Sequence, residues 1–350
     1  MRILIITDAW DPQVNGVVRT LKNVIRECTQ LGHEIHVIEP TQFHSIPCPT
    51  YPEIRLALNP SQNIEEALKH FTPDAIHIST EGPLGWSARR ICMKRGLPFT
   101  TSYHTRFPEY VYARSRIPLP LSYAIMRLFH APSQGVMVAT PNIRRDLEQR
   151  GFQNLRNWTR GVDTDLFHPG RTPALDLEGP VYLYVGRIAI EKNVTAFLDC
   201  DLPGTKLLVG DGPQRKELEA RYPDAIFTGA KYGEELADYF TAGDIFVFPS
   251  KTDTFGLVML EAMASGLPVA AFPVAGPQDV IGTSQAGILH EDLQIAALQA
   301  LHISSETPLA HARTYSWKAS ATQFLHHLHA HATRDLPSLP SGNLSEPIAL

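Results

Sequence analysis

The chain has 350 residues, 43% of them apolar and 19% charged, with a formal net charge of −5. That length is too great for one ordinary core and suits two domains, and the composition is that of a soluble globular protein. No apolar run approaches the roughly 20 residues that span a bilayer, and the opening RILIIT is too short for a secretory segment and soon meets Asp8 and Asp11.

RILIIT predicts a first strand. VVRTLKNVIRECTQLG predicts a helix, with Val18, Leu21, Val24, Ile25, Cys28 and Leu31 at helical spacing and a stop at Gly32. EIHVIEP predicts a second strand, completing a β-α-β unit with a right-handed crossover. A helix near 62–71, the strand DAIHIS, a helix over 84–95 and the strand FTTSYH follow. Then come a helix near 120–130, the strand GVMVATP and a helix over 141–151.

The pattern restarts after GVDTDLFHPGRTP, whose Gly and Pro mark a junction. VYLYVGR predicts a strand and 192–199 a helix. KLLVGDG, AIFTGA, DIFVFPS and PVAAF predict further strands, separated by the helices QRKELEARY, GEELADYFTAG and 256–265. A helix near 291–301 closes the series. WKASATQFLHHLHAH predicts a last helix, and the Pro- and Ser-rich stretch from 332 a disordered tail. Alternating strands and helices imply parallel sheets covered on both faces. The expected fold class is α/β, as two doubly wound domains.

Cys28, Cys48, Cys92 and Cys200 lie far apart without metal or redox spacing, which suggests reduced thiols in a cytosol. Charge is uneven. Residues 1–170 hold nineteen Lys and Arg against fifteen Asp and Glu, a net +4; residues 171–350 hold twelve against twenty-one, a net −9. Within 85–160 the balance is thirteen against three, +10. That excess fits an anionic neighbour or a solvated basic face.

Ligands of open parallel sheets gather where strands end. After the first strand, Gly16 stands just before a helix, either as a turn residue or where a ligand approaches backbone amides. His104 follows FTTSY. Arg187 and Lys192 follow VYLYVG and together could hold a diphosphate, Arg as a fork and Lys as a point charge. Gly210 and Gly212 form a glycine turn after KLLV that does not meet a dinucleotide fingerprint. In TDTFGLVMLEAMASGLPVAA, Asp253 precedes a helix and Glu261 lies in its second turn. Either Asp253 caps the helix and Glu261 is paired within the fold, or the two acids bind hydroxyls of one ligand laid across the helix start.

Six segments in order resemble the retaining glycosyltransferases of family four. They are NGVVRTL, SYHTRFPEYV, RGVDTDLF, YVGRIAIEKN, VGDGP and TDTFGLVMLEAMASGLPV, and the likeness runs over residues 1–330. It implies the B-type glycosyltransferase fold, two Rossmann-like domains facing a cleft. The implied organisation is an acceptor-binding domain over 1–162 and a nucleotide-sugar-binding domain over 163–315. A helix over 316–331 crosses back to the first domain, and 332–350 form the tail. Position by position, Gly16 resembles the glycine beside the donor diphosphate and His104 the histidine facing the transferred sugar. Arg187 and Lys192 match the basic pair on the diphosphate. Asp253 matches the acid that contacts the sugar hydroxyls, and Glu261 the acid that holds the ribose. The first acid is Asp where the commoner pattern has Glu. The backbone of Phe255, Gly256, Leu257 and Val258 would meet phosphate and sugar, and Gly210 and Gly212 belong to the same donor site.

The implied reaction moves a hexosyl group from a nucleotide sugar to an acceptor with retention, through an α-glycosidic bond, using no metal or other cofactor. TDTFG and RFPEYV are similar to the branch that glycosylates diacylglycerol, which favours a UDP-sugar donor and a lipid acceptor. Lipid-linked α-mannosyltransferases look similar, so a GDP-mannose enzyme is the alternative. A nucleotide-sugar epimerase and a non-catalytic nucleotide-sugar binder are alternatives of other classes. Tyr103, Phe107, Tyr110, Tyr112, Tyr123 and Phe129 mix with Arg106, Arg114, Arg116 and Arg127. That mixture suits an anionic membrane surface or core aromatics with solvated arginines. The expected location is cytoplasmic, at the inner face of the cell membrane. Nothing resembles a nucleic-acid module. HHLHAH lacks a carboxylate or Cys to complete a metal site and reads as a solvated helix.

Overall fold

β1 (Arg2–Ile6) buries every residue after its first, as a strand covered on both faces must. In this computed structural model, which describes residues 1–48 and 51–328, α1 (Gly16–Gln30) follows. The Asn15 side chain starts α1 by accepting from the Val17 and Val18 amides at 3.0 and 3.1 Å. Val18, Leu21, Val24 and Cys28 form its buried stripe. β2 (Glu34–Ile38) comes next, then a small antiparallel hairpin, β3 (Ser45–Cys48) with β4 (Tyr51–Ala57). α2 (Ser61–Phe71), β5 (Ala75–Ile78), α3 (Pro83–Arg95), β6 (Thr100–Tyr103), α4 (Phe107–Ser115), α5 (Leu119–His130), β7 (Gly135–Val138), α6 (Pro141–Gln149) and β8 (Leu155–Asn157) complete the first series. Its sheet runs β2-β1-β5-β6-β7-β8 and is parallel throughout.

The second series is β9 (Val181–Val185), α7 (Val194–Leu198), β10 (Thr205–Val209), α8 (Arg215–Arg221), β11 (Ile226–Phe227), α9 (Gly233–Phe240) and β12 (Ile245–Phe248). It continues with α10 (Leu257–Ala264), β13 (Val269–Ala271), α11 (Ala275–Ile281), β14 (Gly287–Leu289), α12 (Leu293–Ala300) and α13 (Glu306–Ala312). The sheet order is β11-β10-β9-β12-β13-β14, again all parallel. Tyr182, Tyr184, Phe197, Leu208, Val247 and Ala297 belong to its main core.

The chain ends its described part in α14 (Trp317–His327), which packs on α1. Trp158 Nε1 donates to the Ser320 carbonyl at 3.1 Å, and the Thr159 amide to Gln323 Oε1 at 2.9 Å. The two compact units are accordingly 1–160 with 317–328, and 161–316. The tail expected over 332–350 lies outside the described residues, as do His329 and His331.

The alternation of the sequence is present in both series, but its helix at 192–199 is not continuous. Asn193 adopts a left-handed conformation (φ 54°) and splits it into a 3₁₀ turn over Ile190–Lys192 and the short α7. β3, β4, α4, β8, α11, β14 and α13 were not expected. β3, β8 and β14, of four, three and three residues, are too short to show a period.

Candidate active site

In the second unit the strand order turns between β9 and β12. Arg187 and Lys192 follow β9; Asp253, Phe255 and Gly256 follow β12. These residues, separated by about sixty positions in the sequence, therefore stand at the two strand ends that flank the switch point, where open α/β sheets bind ligands. Lys192 Nζ lies 2.5 Å from Asp253 Oδ1, with both side chains mostly buried. Two more bonds join the same loops. Asn193 Nδ2 donates to the Pro249 carbonyl at 3.1 Å, and Thr252 Oγ1 to the Glu191 carbonyl at 3.2 Å. The sequence did not single out Asn193 or Thr252; the left-handed turn that aims Lys192 uses an Asn, a residue that tolerates that region.

Asp253 does not cap α10. The cap position is Gly256 (φ +87°), and no side chain caps the helix. A Cβ at Gly256 would sit 2.8 Å from Met259 Cε and 3.0 Å from Phe248 Cζ, besides facing a backbone unfavourable to L-residues. Leu257 and Val258 open the helix, so their amides keep the partial positive charge of an uncapped N-terminus. Asp253 Oδ2 is buried and has no hydrogen-bond partner among the described residues. Such an atom is costly unless a ligand completes it. Phe255 is buried edge-on to Tyr315, centroids 6.1 Å apart. Glu261, one turn further along α10, is 4% exposed.

Gly210 and Gly212 serve this site through packing. A Cβ at Gly210 would fall 1.8 Å from the Gly186 carbonyl oxygen, and one at Gly212 2.3 Å from that of Ile188. The Gly210 amide is occupied by the Gly229 carbonyl at 2.9 Å. The β10 turn thus abuts the loop that carries Arg187. Tyr184 Oη supports the same loop by donating to the Arg187 carbonyl at 2.7 Å.

In the first unit, Gly16 opens α1 beside Asn15, whose side chain occupies the Val17 and Val18 amides, so those two donors are spent within the protein. His104 follows β6 and is partly buried. Its Nδ1 lies 3.2 Å from a guanidinium nitrogen of Arg160, and its ring packs edge-on to Trp158 at 5.6 Å. Burial, and then the Arg160 charge, hold the His104 pKa well below the usual imidazole value. Arg160 was not singled out in the sequence, although it stands in the quoted RGVDTDLF.

The aromatic and basic region divides. Tyr103, Tyr123 and Phe129 are core residues, while Phe107 and Tyr112 are exposed. Arg106 pairs with Glu109 and Asp146, and Arg150 with Asp146. Arg144 pairs with Glu148 and Arg95 with Glu65; of these acids only Glu65 lies outside 85–160, so the pairs offset little of the +10 balance. On α5, Leu121, Ile125 and Leu128 are 57%, 47% and 59% exposed and fall on one helical stripe. Among the described residues no helix is long and apolar enough to cross a membrane. None of their His, Cys, Asp and Glu side chains form a group of three or more that could hold a metal ion. His327 Nε2 binds the Asn157 carbonyl at 2.8 Å.

Comparison with known proteins decides the family. Residues 14–166 match the pattern of Glycosyltransferase Family 4, and residues 179–303 that of Glycosyl transferases group 1. The chain is 30% identical to a GDP-mannose-dependent alpha-mannosyltransferase of Mycobacterium tuberculosis, over 94% of this chain and 97% of that protein. It belongs to glycosyltransferase family four. The family member is also 34% identical to a sulfoquinovosyl transferase of Arabidopsis thaliana over 78% of this chain, spanning 60% of that longer protein. It is 27% identical to an alpha-monoglucosyldiacylglycerol synthase of Streptococcus pneumoniae, over 86% of this chain and 78% of that one. The solved sucrose-phosphate synthase of Thermosynechococcus elongatus shares its fold, with a TM-score of 0.76 at 20% identity over 92% and 97% of the two chains. The two parallel-sheet units are thus those of the B-type glycosyltransferase fold, and the protein is a glycosyltransferase.

Proposed function

We propose that this glycosyltransferase is retaining and moves a hexosyl group from a UDP-sugar to a lipid acceptor such as diacylglycerol, forming an α-glycosidic bond. The observation that carries the donor half is the Lys192–Asp253 pair at the switch point. One Asp253 oxygen is held by the cation and the other is buried without a partner. That second oxygen suits a sugar hydroxyl, which would donate to it.

In this reading Arg187 and Lys192 flank the diphosphate, and the uncapped amides of α10 add to their charge. Glu261 accepts both ribose hydroxyls. The C1–phosphate bond breaks as positive charge grows on the ring and negative charge on the departing oxygen. The cations and amides stabilise the latter without a metal ion. The acceptor oxygen bonds C1 on the face the phosphate leaves, and its proton passes to the departing phosphate oxygen. His104 keeps the role toward the transferred sugar that the resemblance gives it.

The exposed apolar stripe on α5, beside Phe107 and Tyr112, supports a lipid-borne acceptor taken from an anionic membrane surface at the cytoplasmic face. A specific observation favours a second reading, a GDP-mannose donor. The mycobacterial relative matched along nearly its whole length carries that name.

The test is a panel of UDP- and GDP-sugars, with and without diacylglycerol, in the presence of a chelator. Transfer from a UDP-sugar to the lipid is expected. Transfer only from GDP-mannose would select the second reading, and sugar isomerisation without an acceptor would overturn both. Glu261→Gln should weaken UDP binding about tenfold or more, as a charged hydrogen bond to a hydroxyl is worth ~1.5–3 kcal/mol. Trapping a covalent glycosyl-enzyme would exclude the same-face route.

A further inference from the structure

Arg160 is the last residue of the first unit and is 3% exposed. Its guanidinium donates to the carbonyls of Trp158 and Thr159 at 2.7 and 3.2 Å and lies over the Trp158 ring, 4.4 Å from the centroid. A second guanidinium nitrogen reaches His104 Nδ1 at 3.2 Å. No carboxylate pairs with Arg160 among the described residues, and burial pushes its pKa down to about 9. A buried cation met only by carbonyls, an indole and an imidazole is a poor way to gain stability. An apolar side chain of similar size would fill the space at less cost.

The chemistry of the contact gives that cation a use. Guanidinium nitrogens donate and never accept. His104 Nδ1 must therefore be the acceptor, and in a neutral imidazole the proton then resides on Nε2. We propose that Arg160 is a positioning residue for His104, holding the imidazole as the neutral Nε2–H tautomer so that its far nitrogen can only donate a hydrogen bond. This rests on the reading that His104 meets the transferred sugar, where a fixed donor would take a sugar hydroxyl or ring oxygen as its acceptor.

The surroundings agree. Arg160 opposes a second positive charge on His104, and the imidazoles of His77 on β5 and His130 on α5 also bear on it. Trp158 braces both partners, edge-on to His104 and beneath Arg160. α14 braces Trp158 and Thr159 in turn, through Ser320 and Gln323, and Ser320 Oγ donates to the Thr159 carbonyl at 2.8 Å. The returning helix therefore fixes the backbone from which Arg160 reaches His104.

The experiment is nitrogen NMR on protein labelled at histidine, with the His104 signals assigned by difference from His104→Asn, alongside pH profiles of kcat/KM. In the wild-type protein His104 should stay neutral with its proton on Nε2 from about pH 5 to 8. In Arg160→Met the second tautomer should appear and the ring should protonate at a higher pH than in the wild type, with burial still holding it below the free-imidazole value of about 6.5. Its kcat/KM should gain an acidic limb there and fall on the order of a hundredfold, the usual cost of a misplaced group. Arg160→Lys, which keeps a cation and a donor, should restore the tautomer and much of the rate.

A wild-type His104 that carries its proton on Nδ1, or is cationic at about pH 6, would overturn the proposal, and that spectrum decides even if the methionine variant does not fold. A purely structural Arg160 would lower the rate at all pH values without a new limb, which also overturns it. Full activity in His104→Asn would remove His104 from the sugar, a failure separable from a wrong tautomer.

Discussion

Lys192 and Asp253 form an ion pair of 2.5 Å between the loops that follow β9 and β12. It ties a cation suited to phosphate to an acid suited to hydroxyls, so the charge of each sets the position of the other. Asn193–Pro249 and Thr252–Glu191 hold the backbones on which the pair stands.

Separating the pair should therefore cost both activity and stability. Lys192→Ala should lower kcat by about 10²–10³, the usual loss of one transition-state donor. Asp253→Asn keeps shape and neutralises the acid, and should also reduce transfer strongly. The temperature of thermal unfolding should fall as well in Lys192→Ala, which leaves a mostly buried carboxylate unpaired, at a cost of about 3–5 kcal/mol. Steady-state kinetics beside calorimetry test this; a large fall in Tm with normal turnover would reverse the assignment.

The glycine turn after β10 should be intolerant of even one methyl group. In Gly210→Ala the new carbon would lie 1.8 Å from the Gly186 carbonyl oxygen, at a φ of +155°. Backbone must move, and the loop it displaces carries Arg187. We expect a loss of about 1–3 kcal/mol from overpacking, measured by urea unfolding, together with a drop in kcat/KM. Gly32→Ala is a useful contrast. That residue also has positive φ, but its Cβ would meet nothing within 4 Å, so it should cost strain without activity.

Replacing Leu121, Ile125 and Leu128 by Ser should leave the fold intact, since all three side chains are exposed. Vesicle flotation should fall at least tenfold, because each large apolar side chain contributes about 1.5–3 kcal/mol when fully withdrawn from water. Unchanged binding to anionic vesicles would place membrane contact elsewhere.

His77 should make the first unit acid-sensitive. Its ring is fully buried, with Nδ1 2.8 Å from Thr100 Oγ1 and Nε2 2.9 Å from Ser102 Oγ, against Trp158 and Phe324. Burial lowers its pKa from 6.5 to about 3. Above pH 6.5 neither the folded nor the unfolded state binds this proton. As pH falls from 6.5 towards 3 only the unfolded state does, so stability is lost over that window. By pH 5 this group should have removed about 2 kcal/mol. Urea unfolding of the wild type and His77→Gln at both ends of the window should show the difference, and parallel curves would contradict it.

Much of the architecture was readable from the chain. Runs such as RILIIT and DIFVFPS are apolar throughout because parallel strands between helix layers bury both faces, and that signal survives without any partner. Short elements at the edges were not readable: β8 and β14 are three residues each and carry no period. At the site, Arg187, Lys192, Asp253 and Glu261 were visible as charges in telling places. The ion pair between two of them was not, nor was the supporting role of Gly210, since both depend on contacts between distant loops.

By itself the sequence determined two alternating series, their family, and the residue types able to meet a phosphate or a hydroxyl. Those properties are local, fixed by side-chain chemistry and by period along the chain. The strand order, however, was decided only by tertiary structure, and with it which strand ends became neighbours. So was the fate of each charge. Arg106 was absorbed by acids of its own unit. Arg160 was buried behind His104, because α14 returns to hold the segment that carries it. Burial and pairing are properties of the packed chain, and they set what each group can do.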